Sequence, residues 1–424
     1  MRALHEEELH LPGPAGLRRV AGRVFRSAAA LLRRQQARRG LAAVRTTDRW
    51  AGRLMKLAFL IYSWFPHGGQ QRDMMRLARE CIDRGHEVIA YAMRWRGPRP
   101  EGLRIEPVEA RGFGRLARYR NYTERVRQAL AAEPVDLAVG FNRMPLLDVY
   151  FAADSCFAEK ARTQRPAWYR FTPRFRHFSA YENAVFGEAS ATRSLVLSER
   201  QRDEYVRHYP GCAERLHLLP PGLSADRKIS ARDPETRRRC REELSIFGDE
   251  KLILQIGSGF RIKGVDRSLR AVASLPGSIA GNCRFLLIGR GRSAPVLAQA
   301  RKLGIRDRVR VLPGQDNVAR LYQAADLLLH PAYSESAGHV LLEATAAGLP
   351  VLTTSTCGYA PHILRAGSGQ VCEEPFGQQE LNRRLLDMLE RLDSAPWSAN
   401  GLRYGQSEEL YNMAKAAVDF LERQ

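Results

Sequence analysis

Apolar residues fall into short runs separated by amphipathic stretches, and this alternation starts abruptly near Met55. The run LMKLAFLIY is followed by a Gly-Gly turn, a helical stretch from Gln70 to Arg84, and the run HEVIAYAM. That order predicts a βαβ opening. Asp136 to Gly140 (DLAVG) and Ser194 to Leu197 (SLVL) predict further buried strands, with Ala158 to Phe186 inserted between them. The rhythm then restarts with LILQIGSG, RFLLIGRG, VRVLPG, DLLLHP and PVLTT. Predicted helices between them cover Val265 to Leu275, Ala294 to Leu303, Val318 to Ala325 and Ala337 to Ala347. The five runs predict a second, doubly wound parallel sheet.

The expected architecture is therefore α/β, with two Rossmann-like domains facing a central cleft. Residues 1–54 form a basic extension, 55–220 the first domain, 221–395 the second, and 396–424 a helical segment that packs back across the cleft. The sequence Leu219-Pro220-Pro221-Gly222 reads as the hinge. A chain of 424 residues exceeds the size of one growing core, which agrees with two domains.

Composition narrows the class. A hydrophobic fraction of 44% and a charged fraction of 27% are those of a folded globular chain. No apolar run approaches the length of a spanning helix. Seven cysteines without a C-x-x-C pair argue against a disulfide framework and against a zinc ribbon, and point to a reducing cytoplasm. The net charge of +21 calls for a polyanionic neighbour: nucleic acid, anionic lipid or a phosphorylated substrate. No zinc-finger, RNP or basic-zipper pattern is present, so nucleic acid is not expected. Residues 1–54 hold twelve arginines and no lysine, and read either as a membrane-surface helix or as an extension upstream of a start at Met55.

Three constellations carry candidate chemistry. In HPAYSESAGHVLLEATAAGLPVL, Glu335 follows a buried strand and Glu343 lies in the next helix, about 10 Å away by helix geometry. That distance excludes a carboxylate pair sharing one proton, and suits two clamps holding opposite ends of an extended ligand through its hydroxyls. Between them the amides of Ala337, Gly338 and His339 form a helix N-terminus suited to a diphosphate. GSGFRIKG, residues 257 to 264, supplies Arg261 and Lys263 as phosphate donors after a strand. FPHGGQQRD places Gly68, Gly69 and Asp73 after the first strand, where a helix opens onto the cleft. There is no D-x-D pair and no H-x-x-x-H, so neither a catalytic metal nor another cofactor is expected.

Taken together, these residues resemble the retaining glycosyltransferases of family 4, which have the GT-B fold and are marked by E-x7-E; Glu335 to Glu343 fits that spacing. The segments FPHGGQQRDMMRLA, GFNRMPLLDVYFAAD, LLPPGL, KGVDRS, AADLLLHPAY and AGLPVLTT further resemble the lipopolysaccharide core glucosyltransferases, over Met55 to roughly Tyr411. The resemblance implies transfer of glucose from UDP-glucose to the inner-core heptose of lipopolysaccharide. Glu343 would then bind the ribose, Glu335 the transferred sugar, and Lys263 the diphosphate. Lys263, Glu335, Asp73 and Asp154 would be catalytic. Pro313 and Gly314 would join the donor site, while Asp148 and Asp154 would lie on the acceptor side. Where the family pattern has an arginine directly before the lysine, this chain has Ile262, with Arg261 one position earlier.

One segment remains. Residues 158–181 interleave Lys160, Arg162, Arg165, Arg170, Arg174 and Arg176 with Trp168, Tyr169, Phe171 and Phe175. Such a mixture suits anionic lipid, and also single-stranded nucleic acid. In the resembled family this region lies near the inner membrane, which implies a peripheral enzyme on the cytoplasmic face of the inner membrane of a Gram-negative-type bacterium, acting on a lipid-linked inner core. The competing readings are a sister transferase with another donor or acceptor, and a non-catalytic lipopolysaccharide- or nucleic-acid-binding protein.

Overall fold

Lys56–Trp64 (β1) is buried along almost its whole length, as expected of a strand covered by helices on both faces. It leads through Gly69–Asp83 (α1) to Glu87–Trp95 (β2) and Leu103–Pro107 (β3). Gly114–Ala132 (α2), Leu137–Gly140 (β4) and Val149–Ala152 (β5) follow. Phe157–Gln164 (α3) and Pro173–Phe186 (α4) form the insertion, and Arg193–Val196 (β6), Glu199–His208 (α5) and Leu216–Leu218 (β7) complete the unit. The seven strands are all parallel, in the order β3-β2-β1-β4-β5-β6-β7. This computed structural model describes residues 53–424 other than 67, 226, 227 and 316, so all but the last two residues of the predicted basic extension lie outside it.

The second unit opens with Pro234–Glu243 (α6), Lys251–Ile256 (β8), Val265–Ala273 (α7) and Gly277–Ala280 (α8). It continues through Cys283–Ile288 (β9), Ser293–Lys302 (α9), Val309–Leu312 (β10), Ala319–Ala324 (α10) and Leu327–His330 (β11). His339–Ala346 (α11), Val351–Thr354 (β12), Ala360–Ala366 (α12), Gly369–Cys372 (β13) and Gln378–Glu390 (α13) close it. Its six strands are parallel in the order β10-β9-β8-β11-β12-β13, one more than the five predicted. Each sheet has its own core, one around Leu60, Tyr122, Val196 and Tyr205 and the other around Ile253, Leu269, Phe285 and Leu385.

The C-terminal segment joins both units. Trp397–Tyr404 (α14) packs on α11, and the chain then crosses to lay Met413–Leu421 (α15) on α1. Arg84 holds α15 through Asp419 at 2.7 Å and Glu422 at 2.9 Å. The sequence predicts a single helix from Glu408 to Glu422. The structure divides it into a 3₁₀ turn over Glu408–Tyr411 and α15, with Leu223 donating its N–H to the Leu410 carbonyl at 2.8 Å.

Candidate active site

Strand order reverses between β1 and β4 in the first sheet and between β8 and β11 in the second. In open parallel sheets, ligands bind outside the carboxyl ends of strands at such a reversal. The loops leaving β8 and β11 are GSGFRIKG and PAYSESAG, and those leaving β1 and β4 carry Phe65–Gly68 and Asn142–Arg143. The three constellations found in the sequence therefore sit at the two topological switch points.

Two loops meet at the donor wall. Gly264 has φ of +68°, and a Cβ there would come within 1.9 Å of the Pro331 carbonyl oxygen, so glycine lets the loop after β8 touch the loop after β11. Arg267 secures the second loop from below: its guanidinium lies 3.6 Å from the Tyr333 ring centre and 3.7 Å from that of Phe376, and donates to the Pro331 and Ala332 carbonyls at 3.3 Å. Lys263, whose carbonyl accepts from Gln255 at 2.7 Å, reaches across to form an ion pair with Glu335. His330, fully buried at the end of β11, lies 3.4 Å from the same carboxylate oxygen. Burial alone would raise the Glu335 pKa, but the Lys263 ammonium and the hydrogen bond from His330 outweigh it and hold the carboxyl at about 2. His330 itself is pushed down by its burial.

The sequence predicts that the next helix starts at Ala337. It starts at His339 instead, because Gly338 takes a left-handed conformation (φ +96°) at the N-cap. Glu343 then lies little more than one turn into α11, almost completely buried. Its Oε2 accepts from Tyr322 at 2.8 Å and its Oε1 faces Arg72 of α1 at 3.4 Å. The first amides of α11 lack an acceptor one turn back, as at any helix start, and lie beside Glu335, whose Cγ would be 3.3 Å from a Cβ on Gly338. Pro313 and Gly314 lie exposed at the end of β10, beside Arg290. Arg261 and Ile262 both point outward, and Arg261 lies on the surface of the loop rather than in the Lys263–Glu335 contact.

The opposite wall is built by the start of α1. Gly68 is its N-cap, and a Cβ on Gly69 would meet nothing within 4 Å. Asp73 is buried; one of its oxygens faces Arg76 at 3.3 Å and the other faces His339 of the second unit at 3.6 Å. Arg76 in turn grips the Gly222 carbonyl and Ser224, tying the helix to the chain that crosses between the sheets. Phe65 lies under Arg290 at 5.8 Å. Arg72, Tyr322, His330, Arg76 and Arg290 were not singled out from sequence. Only Arg72 carried a signal there, as the cation next to Asp73 in the first helical turn.

Asp154 and Asp148, read together from one segment, are separated by the fold. Asp154 follows β5 at the cleft end, where its carbonyl accepts from Gln201 at 2.9 Å and Tyr205 at 3.1 Å. Asp148 precedes β5, so it lies at the amino end of a parallel strand, away from the cleft. Its carboxylate accepts the Ala138 N–H at 2.9 Å, splicing β4 to β5. The acceptor-side placing of Asp148 is thus corrected to a structural one.

Within the insertion, Glu182 is fully buried. It accepts the Phe157 and Ala158 amides at 2.6 and 2.8 Å, capping α3, and ion-pairs with Arg143. Arg162, Arg165, Trp168, Arg170, Phe171, Arg174 and Arg176 are exposed, whereas Tyr169 and Phe175 turn in to pack on Phe157 at 6.4 and 5.8 Å. Lys160 is half-buried. No helix among the described residues is long and apolar enough to cross a membrane.

Two facing parallel-sheet domains with this cleft define a GT-B glycosyltransferase. The chain matches the family described as Glycosyltransferase Family 4 over residues 67–227 and that described as Glycosyl transferases group 1 over residues 236–396. It is 42% identical over 368 residues to the lipopolysaccharide glucosyltransferase WaaG of Escherichia coli, covering 87% of this chain and 98% of that protein. A crystal structure of WaaG, a glycosyltransferase involved in lipopolysaccharide biosynthesis, superposes with a TM-score of 0.82 at 42% identity, over 86% of this chain and 99% of that one. Anabaena HepE, solved in complex with UDP-glucose, shares the fold at a TM-score of 0.68 and 19% identity, over 87% of this chain and 100% of that one. The chain belongs to the WaaG family of glycosyltransferases, as the sequence motifs imply.

Proposed function

We propose that the protein transfers glucose from UDP-glucose to the inner-core heptose of lipopolysaccharide, with retention of anomeric configuration, at the cytoplasmic face of the inner membrane. The kinship with WaaG supports this reading. The observation that carries it is the ion pair of Lys263 with Glu335 beside the N-terminus of α11. Glu335 holds the ammonium beside the loop after β11. When a nucleotide sugar binds, the diphosphate takes over Lys263, and the released carboxylate accepts hydroxyls of the transferred sugar.

As the bond from the anomeric carbon to the diphosphate oxygen breaks, negative charge grows on the leaving UDP. Lys263 and the amides of Ala337, Gly338 and His339 stabilise that charge more in the transition state than before it, a role a metal ion fills elsewhere. Glu343 holds the ribose hydroxyls at the far end. Asp73 and Asp154 face the acceptor hydroxyl from the first domain, and no residue is assigned as a covalent nucleophile. The exposed Trp168 and Phe171 among arginines form the surface that meets anionic lipid.

The test is transfer from a panel of nucleotide sugars to a core lipopolysaccharide truncated at the heptose, with the product anomer read by NMR. UDP-glucose is expected to be preferred and an α-linked glucoside formed. Equal use of another sugar nucleotide, or an inverted product, refutes the reading.

A further inference from the structure

Phe113 is the fully exposed tip of the loop that leaves β3, and the backbone is shaped to hold it there. Gly112 and Gly114 on either side have φ of +139° and +79°, a region that favours glycine, and a Cβ on Gly112 would come within 2.9 Å of the Ala117 Cβ. Phe113 is the N-cap of α2, as Thr172 is of α4, with Phe171 just before it. The two helices pack side by side and run the same way. Tyr119, six residues after Phe113, meets Phe178, six residues after Thr172, at 6.3 Å, and Thr123 Oγ1 meets the Tyr181 hydroxyl at 3.0 Å one turn further along. Phe113 and Phe171 therefore stand level at the starts of adjacent helices. Because α2 follows β3, that level is the carboxyl end of the parallel sheet, the rim that borders the cleft.

The rim is cationic. Arg96 and Arg99 follow β2 at the same end, Arg115 is next but one to Phe113, and none of the three has an acidic partner among the described residues. Arg165, Arg170 and Arg174 likewise pair with no carboxylate there, and lie over the rings of Tyr169, Phe171 and Phe178 at 5.4, 5.3 and 5.1 Å. Exposed aromatic tips set among unneutralised arginines fit a layer of anionic headgroups over acyl chains, whereas a protein partner calls for one continuous apolar face. We propose that Phe113 inserts into an anionic bilayer as a second anchor beside Trp168 and Phe171, so that the cleft-side rim of the first domain rests on lipid at two points. The inference rests on the lipid-facing surface proposed above and adds to it a loop outside residues 158–181.

The experiment uses the full chain and vesicles of phosphatidylcholine with or without phosphatidylglycerol. Phe113→Ala is expected to lower the partition coefficient for the anionic vesicles about tenfold, as for withdrawing one aromatic side chain from an apolar layer, with Tm and the rate of transfer to a water-soluble, deacylated core acceptor unchanged. All seven cysteines are buried, so a polarity-sensitive thiol dye on Phe113→Cys reports on the loop directly. Its emission should shift to the blue with anionic vesicles, while the same dye on Phe247→Cys, an exposed site in the second domain, should not shift. Unchanged partition of Phe113→Ala, or no blue shift at position 113, would overturn the proposal. So would an equal loss of transfer to the soluble acceptor, which makes the loop part of the acceptor site, or a loss confined to single-stranded RNA binding, which assigns it to nucleic acid. If the wild type binds neither kind of vesicle, the lipid reading itself falls, and this proposal with it. Partition lost by Trp168→Ala but kept by Phe113→Ala leaves that reading standing and removes Phe113 alone.

Discussion

Arg72 of the first domain lies 3.4 Å from Glu343 of the second, a contact between residues far apart in sequence that bridges the cleft at the ribose end of the proposed donor site. Tyr322 holds the other carboxylate oxygen at 2.8 Å. Glu343 is thereby oriented before any ligand arrives, and a preorganised acceptor loses little freedom on binding.

Glu343→Ala should weaken UDP binding by about tenfold or more, the loss expected for hydrogen bonds to a charged, buried group. Calorimetric titration with UDP checks it. An unchanged Kd would remove Glu343 from the nucleotide site.

Two glycines separate packing from ligand approach. Gly264→Ala drives a Cβ into the Pro331 carbonyl at 1.9 Å, so it should lower both thermal stability and activity. Gly69→Ala meets nothing within 4 Å and should fold normally. If the donor approaches the backbone at Gly69, that variant keeps its Tm and loses affinity for UDP-glucose. An unaltered affinity would place the ligand elsewhere.

Much of this arrangement was legible in the sequence, and the gaps have physical causes. The runs at β1, β2, β4, β6, β8, β9, β11 and β12 are mainly apolar because the sheet interior is covered on both faces, whereas β10, an edge strand, is legible from the alternation in VRVL. β3 at the sheet edge alternates polar and apolar residues, and β13 opens on a glycine, so neither shows that signature. β5 lies inside the motif segment GFNRMPLLDVYFAAD, whose spacing alone puts Asp148 and Asp154 together. An aspartate just before a short parallel strand lies at the end opposite to one just after it. Motif spacing found Lys263, Glu335 and Glu343. It does not find Arg72, which meets Glu343 across the cleft, Tyr322, which meets Glu343 from another helix, or His330, which lies five residues from Glu335 but belongs to no motif.

Glu182→Ala should cost about 3–5 kcal/mol of stability, because it leaves Arg143 buried without its partner and uncaps α3. Urea unfolding monitored by tryptophan fluorescence measures it. A loss below about 1 kcal/mol would mean that water replaces the carboxylate at no great expense.

Burial lowers His177 from 6.5 to about 4, assisted by Arg120, and lowers His362 likewise to about 4, assisted by Arg365. A histidine depressed in the folded state binds its proton less readily there than in the unfolded chain. Stability should therefore be complete above pH 6.5 and fall between about 6.5 and about 4. His177→Phe, set among Tyr119, Phe178 and Tyr181, should flatten that slope in a pH series of unfolding midpoints. An unchanged slope would show that His177 is not one of its sources. Glu335, held at about 2, stays ionised throughout this window, so it contributes no acid limb to the rate there.

Lys263, ion-paired with Glu335, is proposed to stabilise the leaving diphosphate. Initial rates of glucose transfer from UDP-glucose to truncated core lipopolysaccharide, compared between wild type and Lys263→Ala, test it most directly. Lys263→Ala is expected to lower kcat by a factor on the order of 10² or more, as for loss of a donor to developing negative charge. A kcat close to wild type would contradict it.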